Sequence, residues 1–150
     1  MARLNKQRFE SATVEWATPD SLWKPLNDEF GFTLDVCANA ENSKCARYWT
    51  KEQNGLLHPW AGVCWMNPPY GKELKRWIIK AECEKSKGVT TVALIPARTN
   101  TNWWHDIVMK NEVRFIRGRP MFGDSDQGLP WPMAIVVFRG MVGPKTLVLP

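Results

Sequence analysis

Two consecutive prolines, Pro68 and Pro69, follow the apolar run Val63-Cys64-Trp65-Met66 and Asn67, and they constrain the fold more than any other feature of the chain. Proline donates no ladder hydrogen bond and fixes its own φ, so a central strand has to stop there. Beyond them Leu74, Trp77, Ile78 and Ala81 recur at helical spacing, with Lys72, Arg76 and Lys80 four apart on another side. The segment reads as a strand, a loop and an amphipathic helix.

The same alternation extends along the chain. A helix opens at Thr18-Pro19-Asp20, with Thr18 as the cap, Pro19 at the first helical position and Asp20 against the positive end. Leu22, Trp23, Leu26 and Phe30 form its apolar side, Pro25 is a candidate kink, and Gly31 stops it. Phe32 to Ala38 reads as a buried strand and Asn39 to Lys44 as a loop. Val89 to Ile95 is the next buried strand, followed by Pro96-Ala97-Arg98, a Thr/Asn-rich loop and a helix near Trp103 to Lys110. Glu112 to Ile116, Pro132 to Phe138 and Lys145 to Leu149 read as further strands, and the Gly/Pro/Asp-rich loop from Gly118 to Pro130 is long enough for a functional one. Strands alternating with helices predict an α/β fold with a parallel sheet.

With 150 residues, 44% hydrophobic and 23% charged, the chain is expected to form a single domain over residues 1–150, with residues 1–12 as a flexible basic arm. No apolar stretch approaches the roughly 20 residues of a membrane span, and Met1 to Glu10 lacks the apolar core of a signal peptide. A cytoplasmic location and no membrane partner are expected. Cys37, Cys45, Cys64 and Cys83 lack paired metal-ligand spacing and read as reduced thiols, Cys37 and Cys64 as small buried residues; with His58 and His105 they predict no metal. A net charge of +5 favours an anionic partner. Nine tryptophans read mostly as core, although an indole face also stacks on a nucleobase.

Asn67-Pro68-Pro69-Tyr70 places an amide, an unpaired carbonyl and an aromatic ring at the carboxyl end of a strand, the edge where open α/β sheets bind ligands. Pro68 holds Asn67 extended, so the Asn67 amide oxygen and the Pro68 carbonyl converge on one point. Two acceptors suit an amine such as the exocyclic nitrogen of adenine, whose lone pair is delocalised into the ring. Accepting both its hydrogens favours a pyramidal, more nucleophilic nitrogen, and Tyr70 can stack on the base. The plainer alternative is a rigid turn after a strand.

Thr18-Pro19, Phe32-Thr33-Leu34-Asp35-Val36-Cys37-Ala38, Asn42 through Lys44-Cys45 to Tyr48, Asn54-Gly55-Leu56, Trp60, Trp65 to Gly71 and Pro96-Ala97-Arg98, in this order, resemble the phage-type DNA adenine methyltransferase (Dam) family. The resemblance covers roughly Val14 to Met109, with Pro132 to Phe138 similar to a late strand. It implies a compact Rossmann-like methyltransferase fold that uses S-adenosylmethionine, no metal and no obligate protein partner, and methylates adenine in DNA. It also implies a phage or prophage origin, a bacterial host, and protection of phage DNA from restriction. Carried over by position, the catalytic segment is Asn67, Pro68, Pro69 and Tyr70, and the methyl donor faces Thr18, Pro19, Asp35, Cys37 and Ala38. Asp35 is placed to pair with the donor's ammonium group; the alternative is a strand-end acid satisfied by backbone donors.

Two departures bear on this reading. Val36-Cys37-Ala38-Asn39-Ala40 has no glycine, so the donor must meet a different backbone path. The stretch from the first strand to Tyr48 is too short for a helix and second strand, so either the core is trimmed there or the strand assignment differs.

DNA contacts are expected from Lys72, Arg76, Arg98 and Arg119, with Arg114 and Arg117 beside them. From Lys72 to Lys87 six basic residues face three acidic ones, although a solvated, ion-paired helix face explains Lys85 and Lys87 equally well. Trp103 or Trp104 could grip DNA, but one of them at helical spacing with Ile107 fits the core. Methylation of RNA or of a protein amide, and an inactive nucleic-acid-binding module of the same fold, are the competing readings.

Overall fold

The computed structural model describes residues 18–121 and 129–141. In chain order the elements are α1 (Asp20–Phe30), β1 (Leu34–Asp35), a 3-10 turn (Gly55–Leu57), β2 (Val63–Met66), α2 (Leu74–Lys85), β3 (Thr90–Pro96), α3 (Asn102–Asp106), a 3-10 turn (Val108–Lys110), β4 (Glu112–Phe115) and β5 (Met133–Phe138). The expected basic arm, the strand at Lys145 to Leu149 and residues 122–128 of the long loop lie outside the described residues.

The described strands form one five-stranded sheet in the order β1-β2-β3-β5-β4. β1, β2 and β3 are parallel, but β5 is antiparallel to both β3 and β4, so the expected parallel sheet is a mixed one. Physically, β5 returns beside β4 without the crossover that a parallel neighbour requires. Since β4 is in turn antiparallel to β5, it runs in the direction of β1 to β3. The carboxyl ends of four strands therefore share one edge. The loop that leaves this edge after β4 is closed at its base by Leu129 N–H donating to the Pro120 carbonyl at 3.2 Å.

Alternation along β3 and β5 sorts the core onto the two faces of the sheet. Ala93, Ile95, Ala134, Val136 and Phe138 pack with Leu74, Trp77, Ile78 and Ala81 of α2 and with Trp103 and Trp104. Val92, Leu94, Ile135 and Val137 pack with Leu26, Leu22 and Trp23 of α1. Trp60, Trp65, Trp77, Trp103 and Trp104 are buried, so these indoles are core. Lys85 is held by Glu82 and Asn111, and Lys87 by the buried Glu84, as an ion-paired helix face requires.

Three local expectations are corrected. The N-cap of α1 is Pro19 without a side-chain cap, because the Thr18 hydroxyl is engaged elsewhere; Pro25 lies within α1, and Gly31 ends it at φ 66°. β1 is shorter than Phe32 to Ala38, and the stretch from Val36 to Arg47 forms no helix. Instead Arg47 to Trp49 runs beside β1: Asp35 N–H donates to the Arg47 carbonyl, Trp49 N–H to the Asp35 carbonyl, each at 3.0 Å, and Tyr48 bridges Asp35 in parallel. The strand assignment thus differs from the expected one, and no helix lies between β1 and Tyr48. The helix expected at Trp103 to Lys110 is α3 followed by a separate 3-10 turn.

Candidate active site

β2 delivers Asn67 to the shared edge, and the proline pair turns the chain there. The Asn67 amide is held at both ends: its Nδ2 donates to Thr18 Oγ1 at 3.2 Å, and its Oδ1 accepts from the Tyr70 hydroxyl at 2.6 Å. An amide oxygen has two lone pairs, so one remains for a ligand. Among the described residues no hydrogen bond reaches the Pro68 carbonyl. Tyr70 itself is buried, 3% exposed, with its ring edge-on to Trp131 at 6.1 Å. Burial pushes its hydroxyl far above the ordinary tyrosine pKa, so it stays a neutral donor. Its main-chain carbonyl accepts from Arg98 Nη2 at 2.7 Å.

One strand away, Asp35 ends β1 with 2% exposure. Its Oδ2 accepts from Lys44 N–H at 3.0 Å and its Oδ1 from Cys37 N–H at 3.3 Å. Burial outweighs these bonds and raises the carboxyl to about 6. Asn39 and Asn42 brace the following loop, with Asn39 Oδ1 accepting from Glu41 and Asn42 N–H and Asn42 Oδ1 from Asn39 N–H. Carboxylate and amide side chains here organise the turn that a glycine-rich sequence forms by backbone freedom alone.

A cavity of about 260 Å³ is lined by Cys37, two residues past Asp35, by Thr50, Lys51, Asn54, Gly55 and Leu56, and by Pro69, Glu73 and Trp77 of the tip and α2. It joins the segment after β1 to the proline tip. Gly55 is required there, because a Cβ would lie 2.2 Å from the Val36 carbonyl oxygen. Asn54 enters the turn at φ 56° and its Oδ1 accepts from Leu56 N–H at 3.1 Å. Burial pushes the Cys37 thiol up to about 12, which leaves it a neutral wall. Thr50, Lys51, Glu73 and Trp77 were not read as site residues, since they come from two separate segments; the one local signal was the Asn54-Gly55 turn.

A second cavity, about 290 Å³, is lined by Pro19, Ser21, Leu22, Ile116, Arg117, Arg119, Pro120 and Met121. Of the expected donor-facing residues, Cys37 reaches the first cavity, Asp35 takes backbone donors, Ala38 N–H donates to the Trp49 carbonyl, Thr18 meets Asn67, and Pro19 lines the second cavity. Of the expected DNA contacts, Lys72 and Arg119 are exposed and Arg76 is exposed beside Glu73 at 3.4 Å. Arg98 instead braces the tip, and Arg114 is taken by Glu29 at 2.6 Å and Glu112 at 2.7 Å. Both guanidiniums find acceptors within the fold, which the sequence did not reveal.

The chain matches the family model described as DNA N-6-adenine-methyltransferase (Dam) over residues 7–140. It is 33% identical over 104 residues to the DNA N-6-adenine-methyltransferase of Haemophilus phage HP1, which covers 67% of this chain and 60% of that protein. It is 29% identical over 92 residues to the DNA N-6-adenine-methyltransferase of Escherichia phage T1, covering 59% of this chain and 38% of that protein. It is also 41% identical over 76 residues to the protein named "Putative methyltransferase YfdM" of Escherichia coli K12, covering 44% of this chain and 84% of that one. The chain thus spans less than two thirds of either phage relative's length. The matched span takes in both strand ends, the tip and both cavities, and the chain belongs to the DNA N-6-adenine-methyltransferase (Dam) family.

Proposed function

We propose that this chain, as one Rossmann-like domain in the cytoplasm of a bacterial host, transfers a methyl group from S-adenosylmethionine to the exocyclic amine of an adenine flipped out of DNA. The observation that carries the reading is the tip itself: a free lone pair on Asn67 Oδ1 and the Pro68 carbonyl at a strand end, with Pro69 in the wall of a cavity. Among the described residues no helix is long and apolar enough to cross a membrane, and no cluster of metal-binding side chains is present.

The residues of the 260 Å³ cavity fit the donor. Trp77, Leu56 and Pro69 offer apolar walls for an adenosyl group, and Thr50 and Asn54 offer polar atoms. The Asp35 carboxylate keeps lone pairs beyond its two backbone bonds for the donor's ammonium. What the donor supplies when bound is an electrophilic sulfonium methyl.

Asn67 Oδ1 and the Pro68 carbonyl each accept one hydrogen of the adenine amine and so localise its lone pair for attack. The Tyr70 hydroxyl and Thr18 fix which way the Asn67 amide faces. The carbon–nitrogen bond forms as the carbon–sulfur bond breaks, a neutral thioether leaves, and the nitrogen's extra proton passes to water. Neither the Asn67 amide nor the buried Tyr70 hydroxyl takes that proton. The adenine must leave the stack, because its amine cannot otherwise approach a donor held in a cavity.

Incubation with methyl-labelled S-adenosylmethionine and adenine-containing DNA tests this reading, with Asn67→Ala expected to lose label at least about 100-fold. No label in DNA from the wild type, or equal label from both, refutes it. Preferential labelling of RNA or protein in competition moves the reaction to those polymers, and no heat on titrating the donor reduces the chain to a binding module.

A further inference from the structure

Of Arg98, Arg114, Arg117 and Arg119, two are held within the fold and two are not. Arg98 is bonded to the Tyr70 carbonyl and Arg114 is paired with Glu29 and Glu112. Arg117 and Arg119 are exposed, make no hydrogen bond or ion pair among the described residues, and line the same cavity. The rest of that cavity is mostly apolar, from Pro19, Leu22, Ile116, Pro120 and Met121, with Ser21 at its wall.

Its location ties it to the tip. Pro19, in its wall, follows Thr18, whose hydroxyl accepts from the Asn67 amide. Ile116, Arg117 and Arg119 follow β4, whose carboxyl end shares an edge with that of β2. Asp20, the acid nearest the cavity wall in sequence, is neutralised by Lys44 at 3.1 Å and Lys24 at 3.2 Å and so does not repel an anion there. Paired cations over an apolar floor suit a phosphate joined to a flat heterocycle.

We infer that this cavity holds the nucleotide flanking the target adenine, its phosphate on Arg117 and Arg119 and its base against Leu22, Ile116 and Met121, and that it thereby reads the base next to the methylation site. The inference rests on the proposed DNA methylation and adds a specificity-determining subsite to it. The occupant sits beside the tip, because Thr18, bonded to the Asn67 amide, directly precedes Pro19 in the cavity wall.

The test combines charge removal and filling. Binding of a fluorescein-labelled adenine-containing duplex is measured against salt for the wild type, Arg117→Ala with Arg119→Ala, Ser21→Trp and Met121→Trp, with donor affinity as the control for folding. The double arginine variant should bind at least about tenfold more weakly at low salt, and its slope of log affinity against log salt should fall by about 1, as loss of one phosphate contact requires. Either tryptophan should weaken binding with the slope unchanged and alter the base preference beside the methylated adenine, read by sequencing. An unchanged slope in the double variant, or a wild-type flanking preference in both tryptophan variants, overturns the subsite. Failure of the wild type to label DNA would instead strike the methylation reading.

Discussion

Acidification should weaken donor binding through the Asp35 carboxyl. Burial holds it at about 6 rather than 3.8, although the Lys44 and Cys37 N–H groups pull the other way. If the donor's ammonium binds only the charged form, that form shrinks from roughly ten-elevenths at pH 7 to roughly one-eleventh at pH 5, so affinity falls about tenfold, about 1.4 kcal/mol. Stability of the free protein moves oppositely. Its folded pKa exceeds the unfolded one, so this contribution is complete below about pH 4 and is lost as pH rises through about 6, to a total of about 3 kcal/mol. Calorimetric titration of S-adenosylmethionine at pH 5, 6 and 7 measures the first effect and thermal melting the second. Asp35→Asn should bind weakly and without pH dependence across this window. Wild-type affinity constant within about twofold from pH 5 to 7, or Asp35→Asn matching the wild type at pH 7, would refute the pairing.

Tyr70→Phe removes the 2.6 Å bond to Asn67 and should cost about 1 to 2 kcal/mol in denaturant titration and about tenfold in turnover, with donor and DNA affinities unchanged. Gly55→Ala drives a Cβ into the Val36 carbonyl, so a loss of about 3 kcal/mol or more and weaker donor binding are expected by the same titrations. Arg98→Ala frees the Tyr70 carbonyl and should lower turnover with about 2 kcal/mol of stability while leaving the salt slope of DNA binding unchanged, whereas loss of a phosphate contact would reduce it.

The tip was legible because its physics is local: proline cannot continue a ladder, and β2 spans Val63–Met66 as the apolar run indicated. β1 was read too long because an apolar run does not separate a paired strand from a buried extended segment. Phe32 packs on the α1 face and Val36 is fully buried, yet only Leu34–Asp35 is strand. The antiparallel β5 is set by its return beside β4, which strand signals alone do not encode. Arg98 and Arg114 were read as DNA contacts; the acceptor of Arg98, Tyr70, and one acceptor of Arg114, Glu29, stand 28 and 85 residues away in sequence, and Glu112 two residues before Arg114 does not by itself signal a pair. The 260 Å³ cavity was not legible for the same reason, since no single stretch of chain composes its wall.

The bond from Leu129 N–H to the Pro120 carbonyl stitches the mouth of an excursion whose return side is anchored by a buried leucine. A loop cinched at its neck can change length and composition at little entropic expense to the scaffold beneath it. Insertions or substitutions between Pro120 and Leu129 are therefore expected to leave the sheet beneath them folded.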